Sequence, residues 1–576
     1  MSRQLLSHRT LAVAAIGAGC VVTFAALVAL FYFEGLHAFP GNSDKAMLFF
    51  QGQAIAHGNV LLKGWVVALD SYWTSDTLLS ALGIAIVGVR PVLSNLEPAV
   101  VAALVTCAGM LVAADAAAKQ GRARRAQSGP RGSRLVGAAT VFILVALATT
   151  TFQLFLLSGG WHVSTALFAL TAFVLVREGR FGLRWGLTVA CLAVACLSDL
   201  DIIAYAVVPI VCSGIVAALR RRTWKAAIAP ITAALTSTAA YEVCRSIVLA
   251  LGGYRTVKAS AVPSLHQVFE NVKLALHYGG EMLGIVPAPR VASGLTPDTV
   301  ARALAWSHLL VGALILAALG SVLWQTIRGL RRGGPMGLDI DEMLLFAVIG
   351  GAATFIVQSG HGQISDARYL VAAAFFAAVL TGRAAARCWP RLAALRAHRL
   401  AGVAALTLGL VFAGLVGDEL ASPVTPPTAQ VLADWLEVHH LDAGIGDFWA
   451  ASITTLDSGG RVVLLPVMAG PDGLISRIGA PIDSAWYHHQ QFQFLVTKNP
   501  AWNNVTILTA TRSFGRPAHV YRVGIYHVLV WDHPIAIPAT AIRPATPTSL
   551  RPASPRSAIA GCRGRDSTLP ACRSPL

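Results

Sequence analysis

The chain has 576 residues, 55% of them hydrophobic and 13% charged, with a formal net charge of +17. Soluble domains carry about 25% charged residues, so this is the composition of a polytopic membrane protein. The basic residues fall in short blocks between apolar runs, the pattern of cytoplasmic membrane loops, which argues against nucleic acid as the partner of the charge.

A spanning helix needs about 20 apolar residues. Apolar runs bounded by arginine blocks predict helices near residues 10–34, 97–118, 135–157, 162–177, 185–198, 202–219, 226–250, 303–326, 343–358, 369–385 and 400–417. Cys20, at the end of "AAIGAGC", falls inside the first of these and reads as part of a retained helix. The other cysteines show no metal spacing. The basic blocks are "KQGRARRAQSGPRGSR" from Lys119, "REGRFGLR" from Arg177, "RRRTWK" from Arg220, "RGLRRGG" from Arg328 and the arginines from Arg383 to Arg399. Placing them all in the cytoplasm with the N-terminus satisfies the positive-inside rule.

That parity decides the first loop. A full span at 76–91 would put the block from Lys119 outside, and "DTLLSALGIAIVGVRP" is short for a span. Residues 35–96 therefore read as one external loop with helices lying on the membrane, and residues 251–302 as a second, amphipathic one. Residues 418–533 have soluble composition: "TAQVLADWLEVHH" predicts a helix, "RVVLLPVMA" a strand, and "HVYRVGIYHVLVW" one or two strands. The predicted class is mainly α: a transmembrane module over 1–417 with about 11 spans, external interfacial helices, a small external α/β domain over 418–533, and a Pro/Arg/Ser-rich tail over 534–576 without structure.

Charged groups facing a bilayer interior line cavities or pair with one another. On the predicted external side they gather at helix ends: Asp44, His57, Lys63, Asp70 and Asp76 in the first loop, Asp199 and Asp201 in "LSDLD", and His361, Asp366 and Arg368 in "QSGHGQISDARYL". Simpler roles compete. Asp44 and Asp76 both stand where a helix N-cap is expected, aspartates are common in turns, and Arg368 is placed to snorkel. His162, after "SGGW", reads as polar rim. No GxxxxGK[ST], HExxH or CxxC is present, which argues against nucleotide hydrolysis and a recognisable metal motif.

The arrangement over residues 10–533 resembles the multi-span GT-C glycosyltransferases that use lipid-phosphate-linked sugars, the group containing protein mannosyltransferases and lipid A aminoarabinose transferases. The resemblance lies in "NSDKAMLFFQGQAIAHG" after the first span, in "SDLD", in "DARYLVAAAFFAAVL", and in "GIGDFWAASITTLDSGGRVVLLPV". The chain departs from many members in carrying Ser43-Asp44-Lys45 rather than two adjacent acids. It also has "WTSDTLL" where a Pro-Pro-Leu segment is common. The resemblance implies an inverting transfer of sugar from a polyprenyl-phosphate donor to a lipid, glycan or protein acceptor of the envelope. Asp44 would be the catalytic base. Arg368, with Lys63 second, would meet the leaving phosphate; Asp70, Asp199, Asp201, His361 and Asp366 would serve binding. The implied setting is a bacterial inner membrane, with the N-terminus cytoplasmic and the C-terminal domain periplasmic or extracellular. No cofactor is indicated with certainty, and a divalent metal stays open. A transporter or flippase for lipid-linked glycans, or a non-catalytic envelope assembly protein of the same fold, are the alternatives; a transporter predicts internal repeats, and none is visible.

Overall fold

The structure is a computed structural model that describes residues 2–38, 41–123, 130–257, 263–283, 298–332, 338–358, 364–394, 398–421, 423–424, 426–479, 481–487, 491–498 and 503–537. From residue 538 onward the expected tail lies outside the described residues. In chain order the first elements are α1 (Ser2–Ala38), α2 (Ser43–Ala56), β1 (Trp65–Val67), α3 (Asp76–Val87), α4 (Leu93–Ala123), α5 (Pro130–Ala146), α6 (Thr150–Leu157), α7 (Val163–Val176) and α8 (Leu183–Ser198). A π-helical turn (Ile203–Val207) leads into α9 (Val208–Arg221). Then follow α10 (Lys225–Ala250), β2 (Arg255–Thr256), α11 (Leu265–Met282), α12 (Asp298–Arg332), α13 (Ile340–Val357), a 3-10 turn (Ile364–Leu370), α14 (Val371–Ala394) and α15 (His398–Ala421).

Among the described residues six helices are long and apolar enough to cross a membrane: Gly17–His37, Leu93–Ala116, Ile203–Arg221, Leu309–Arg331, Ile340–Val357 and Asp366–Leu392. The run expected as one span over 135–157 is instead broken, and its two halves are bent by 89°. The break is chemically satisfied. Thr149 caps α6 by accepting from the Phe152 N–H at 3.2 Å, and the Gln153 amide donates to the carbonyls of Val145 and Ala146 at 3.1 and 3.2 Å. These bonds meet backbone groups that lipid would leave unpaired. The segment expected to lie on the membrane, 76–91, is the helix α3, packed on α2 and α4.

Small residues let the bundle close. A Cβ on Gly382 of α14 would stand 2.7 Å from Val141 Cγ2 and 2.8 Å from the Gly137 carbonyl of α5, so only glycine permits this approach. At the end of the bundle carrying the basic blocks, arginines meet acids. Arg383 Nε donates to Asp341 Oδ1 at 2.5 Å, Arg387 reaches the other Asp341 oxygen, Arg220 pairs with Glu342, and Arg177 with Asp115 at 3.0 Å. Arg383 also donates to the Val112 carbonyl at 2.7 Å, tying α14, α13 and α4 together.

The C-terminal unit follows with α16 (Thr428–Val438), β3 (Ala443–Asp447), α17 (Phe448–Asp457), β4 (Val463–Ala469), β5 (Ile475–Arg477), β6 (Ile482–Asp483), β7 (Phe492–Lys498), α18 (Ile507–Phe514), β8 (His519–Val523) and β9 (Tyr526–Ile535). Six strands form one sheet in the order β5-β4-β3-β7-β9-β8, with β3 parallel to β4 and β7. The hydrophobic pattern of each strand feeds a core on both faces, one around Leu465, Leu495 and Trp531, the other around Leu436, Phe494 and Val528. A second sheet, β2-β1-β6, joins the two long loops to this unit: β1 pairs with β2 in parallel and with β6 antiparallel, Trp65 opposite Asp483.

Removing one partner of a buried ion pair leaves an uncompensated charge, at a cost of about 3–5 kcal/mol. Asp341→Ala strands Arg383, itself 2% exposed, and should lower the melting temperature of the detergent-solubilised protein sharply. Adding Arg383→Met to that variant should restore part of the loss. A melt indistinguishable from wild type would show that this pair does not hold the bundle end.

Candidate active site

At the opposite end of the bundle the helix α2 begins under a cap. The Asn42 side chain accepts from the Lys45 N–H at 2.9 Å, so capping belongs to Asn42 and the Asp44 carboxylate is left for other contacts. Asp44 Oδ2 accepts from Trp161 Nε1 at 3.3 Å and faces Arg368 Nη1 at 3.8 Å. Arg368 comes from the 3-10 turn ahead of α14, and its guanidinium also donates to the Tyr369 hydroxyl at 3.1 Å. Its buried Nε–H finds no acceptor among the described residues. Asp44 and Arg368, 29% and 23% exposed, thus stand at the rim.

Beneath them is a sealed polar floor. His162 Nδ1 donates to Asp199 Oδ2 at 2.8 Å and lies 3.5 Å from Asp201 Oδ2, with His162 and Asp199 each 1% exposed. Thr165 donates to the same Asp199 oxygen, and the Asp201 N–H donates to the other at 2.9 Å. Tyr72 OH bridges inward, 3.2 Å from Asp70 Oδ2 and 3.3 Å from His162 Nδ1. The Tyr205 hydroxyl donates to the Tyr369 carbonyl at 3.0 Å and lies 3.5 Å from Asp201 Oδ2. Arg368 feels the charges of Asp44 and Asp70, and Asp70 those of His162 and Asp199, so the groups form one continuous electrostatic set.

Local backbone explains the meeting. Gly159, Gly160 and His162 all adopt positive φ. A Cβ on Gly160 would stand 2.5 Å from Leu48 Cδ1, so this turn lets α2 settle directly over it. His162 carries its left-handed conformation, φ 64°, without glycine's freedom, a strain found where function or dense contacts hold it. The loop over 71–75 is tied to the end of α8: Tyr72 N–H donates to the Ser198 carbonyl at 2.7 Å and Ser71 Oγ to the Leu197 carbonyl at 2.9 Å.

Sequence reasoning placed Asp44, Asp70, Asp199, Asp201 and Arg368 at the site, and the structure brings these five together. Lys63 is exposed on a turn where its backbone exchanges hydrogen bonds with Asn59, away from the cluster. Asp366 lies against α11, near Tyr278. His361 falls outside the described residues. Asp76, expected as a cap, is 3% exposed and accepts from Ser75 and Ser164 hydroxyls at 2.7 and 2.5 Å, which pins α3 to α7. His162, read as polar rim, is instead the centre of the floor. Its signal was the pair of glycines in "SGGWH", a left-handed turn at a helix junction.

Charge balance shapes the titration. Burial raises the Asp70 carboxyl above its usual range, while His162 and Arg368 act against the rise. Burial acts the same way on Asp199, but His162, Thr165 and the Asp201 N–H outweigh it and hold Asp199 below the usual range. On Asp201 burial, with Asp199 and Asp70, prevails over His162 and pushes the carboxyl up to about 7. His162, Asp199 and Asp201 offer ligand atoms within 4.8 Å of one another, a set able to hold a metal ion.

Because the folded chain holds the Asp201 proton more tightly than the unfolded one, this residue makes the protein less stable as pH rises from about 4 toward 7. Asp201→Asn removes that slope. Its melting temperature relative to wild type should therefore be higher at pH 8 than at pH 5; a gap independent of pH would mean that Asp201 is ionised throughout.

No family model matches the chain, and no curated protein matches it. Among solved structures it is similar to ArnT from Cupriavidus metallidurans in the apo state, with 14% identity and a TM-score of 0.48 over 89% of this chain and 98% of that one. The same protein bound to undecaprenyl phosphate gives 13% identity and a TM-score of 0.48 over the same shares. The chain is also similar to the Archaeoglobus fulgidus oligosaccharyltransferase tethered with an acceptor peptide, with 11% identity and a TM-score of 0.43 over 83% of this chain and 69% of that one.

Proposed function

We propose that the protein is a membrane glycosyltransferase of the bacterial inner membrane, acting on the external face and moving a sugar from a polyprenyl-phosphate donor to a hydroxyl of an envelope acceptor. The observation that carries this reading is the juxtaposition of Asp44 and Arg368, a part-exposed carboxylate 3.8 Å from a part-exposed guanidinium, at the rim of an apolar bundle. Phosphate suits Arg368, whose planar fork offers paired donors. In the resting protein Asp44 lies 3.8 Å from that guanidinium. A donor phosphate engaging Arg368 would free the carboxylate to face the acceptor.

The reaction is a single displacement. The acceptor hydroxyl oxygen attacks the anomeric carbon and Asp44 takes its proton. The bond from that carbon to the phosphate oxygen breaks, and the polyprenyl phosphate leaves as a dianion against Arg368. Attack opposite the leaving group inverts the anomeric centre. The floor of His162, Asp199 and Tyr72 holds the turns that present these two residues, and Asp70 shares the charge of Arg368.

A divalent cation fits the residues present, because Asp44, Asp70, Asp199 and Asp201 face only Arg368 and His162 among the charged groups described above, a surplus of negative charge. His162, Asp199 and Asp201 would hold it, and it would add positive charge beneath the rim and neutralise the excess of carboxylates there. Protein stripped with EDTA should then gain melting temperature on addition of Mn2+ or Zn2+, and His162→Ala should lose the gain. An unchanged melt would exclude the cation from this set.

Transfer is tested in membranes with a panel of polyprenyl-phosphate sugars at matched protein levels. Loss of the base should cost about 10²–10⁴-fold, so Asp44→Asn should abolish measurable transfer. Arg368→Lys should keep part of the rate and Arg368→Ala almost none. Full transfer by Asp44→Asn would remove the base assignment, and no transfer by wild type with any donor would remove the enzyme reading.

A further inference from the structure

A second recess lies well away from Asp44, where the far end of α2 meets the C-terminal domain. It is a cavity of about 320 Å³, at the lower end of the range of small-ligand sites, about 300–1,000 Å³. One wall is aromatic. Trp486 stands edge-on to Trp65, with centroids 5.2 Å apart at 76°, and to Phe50 at 5.9 Å and 87°. The other side is polar, with Gln53, His57 and Asp483.

Each of these groups has unused capacity. The indole N–H of Trp65 is buried and has no acceptor among the described residues. Asp483 Oδ1 accepts from the Ala485 N–H at 2.9 Å, and its second oxygen has no partner among the described residues. His57 Nδ1 donates to the Gln53 carbonyl at 2.7 Å, which leaves Nε2 for another contact. No bond to the Gln53 amide appears among the described residues. The rings themselves are fixed: β1 and β6 pair with Trp65 opposite Asp483, and the turn Ser484–Tyr487 carries Trp486 directly after that pair.

From this geometry we infer that the cavity is a binding site for one uncharged sugar ring, stacked on Trp486 through its C–H face and held through its hydroxyls by Asp483, Gln53 and His57. The chemistry selects this class. A flat apolar surface with polar groups around it matches a ring that has one face of C–H bonds and an equator of hydroxyls. A carboxylate can accept from two adjacent hydroxyls at once. Among the described residues neither lysine nor arginine lines the cavity, so an anionic ligand such as a phosphate would meet Asp483 without a counter-charge. A bare acyl chain would leave Asp483 and Gln53 unpaired.

The position separates this site from the reacting centre. Gln53 and His57 follow Asp44 on the same helix by 9 and 13 residues, an axial distance of about 14–20 Å at 1.5 Å per residue. A ring in the cavity is therefore not the one transferred at Asp44. Where the glycosyltransferase reading holds, it is a distal unit of a glycan acceptor; binding itself does not depend on that reading.

The test uses the full chain, purified in a detergent without a sugar headgroup and titrated with the methyl glycosides of glucose, galactose, mannose, arabinose and N-acetylglucosamine. Saturation-transfer NMR and calorimetry should find saturable binding of at least one of them in the millimolar range, with the strongest contacts on the C–H protons of a single ring face. Trp486→Ala and the milder Gln53→Ala should each weaken it at least tenfold without changing the melting temperature by more than a few degrees. Asp44→Asn should bind as wild type does. Binding by no glycoside of the panel, or binding that survives both cavity substitutions, overturns the assignment. Sugar binding by a protein that transfers nothing would leave the cavity standing and remove only the enzyme reading.

Discussion

Everything at the domain end of this bundle depends on where charge is permitted beside lipid. An ionised carboxylate without a partner is expensive there, and the protein resolves the cost by placing His162 against Asp199, both almost wholly buried, with Thr165 and the Asp201 N–H completing the set. That clasp joins the start of α7 to the end of α8. Tyr72 reaches the same imidazole from the first loop, so one buried histidine sets the relative position of three segments distant in sequence. Its left-handed backbone follows from this: the turn must present the ring inward while α2 lies across the two glycines before it.

The clasp also divides labour. Groups that are sealed do the holding, while the more exposed Asp44 and Arg368 make only a loose pair with each other. An ion pair at 3.8 Å between partly exposed groups is a weak contact. The opposite end of the bundle shows the contrast. There Arg383 and Arg220 make close contacts with Asp341 and Glu342 and are nearly inaccessible, an arrangement that fastens helices and offers nothing to a ligand.

Hydropathy and basic blocks made the helices legible, because a run of about 20 apolar residues has few alternatives. The break after Ala146 was not legible: the residues that satisfy it, Thr149 and Gln153, look like ordinary polar positions until the backbone turns. Asp44, Asp199, Asp201 and Arg368 stood out as charges at helix ends, and the structure gathers them with Asp70. Lys63 had the same signature and went elsewhere, since a charge at a loop end is equally at home in solvent. A single histidine after an apolar run carries no spacing, and the signal for His162 lies in the paired glycines before it. The sheet β2-β1-β6 had no sequence signal, as strands of two or three residues show no periodicity.

That small sheet has a consequence for α2. It stitches the first and second loops to the C-terminal domain, and α17 of that domain packs on α2. Lys45, one residue after Asp44, is 4% exposed and donates to Asn95 at 2.5 Å. Burial pulls its ammonium down to about 8, against the charges of Glu97 and Asp457. The partners of this one lysine thus span the helix bundle, through Asn95 and Glu97, and the domain, through Asp457. Asp44 lies at the first turn of this helix and the aromatic cavity at its last, so the C-terminal domain is a structural part of the site's geometry.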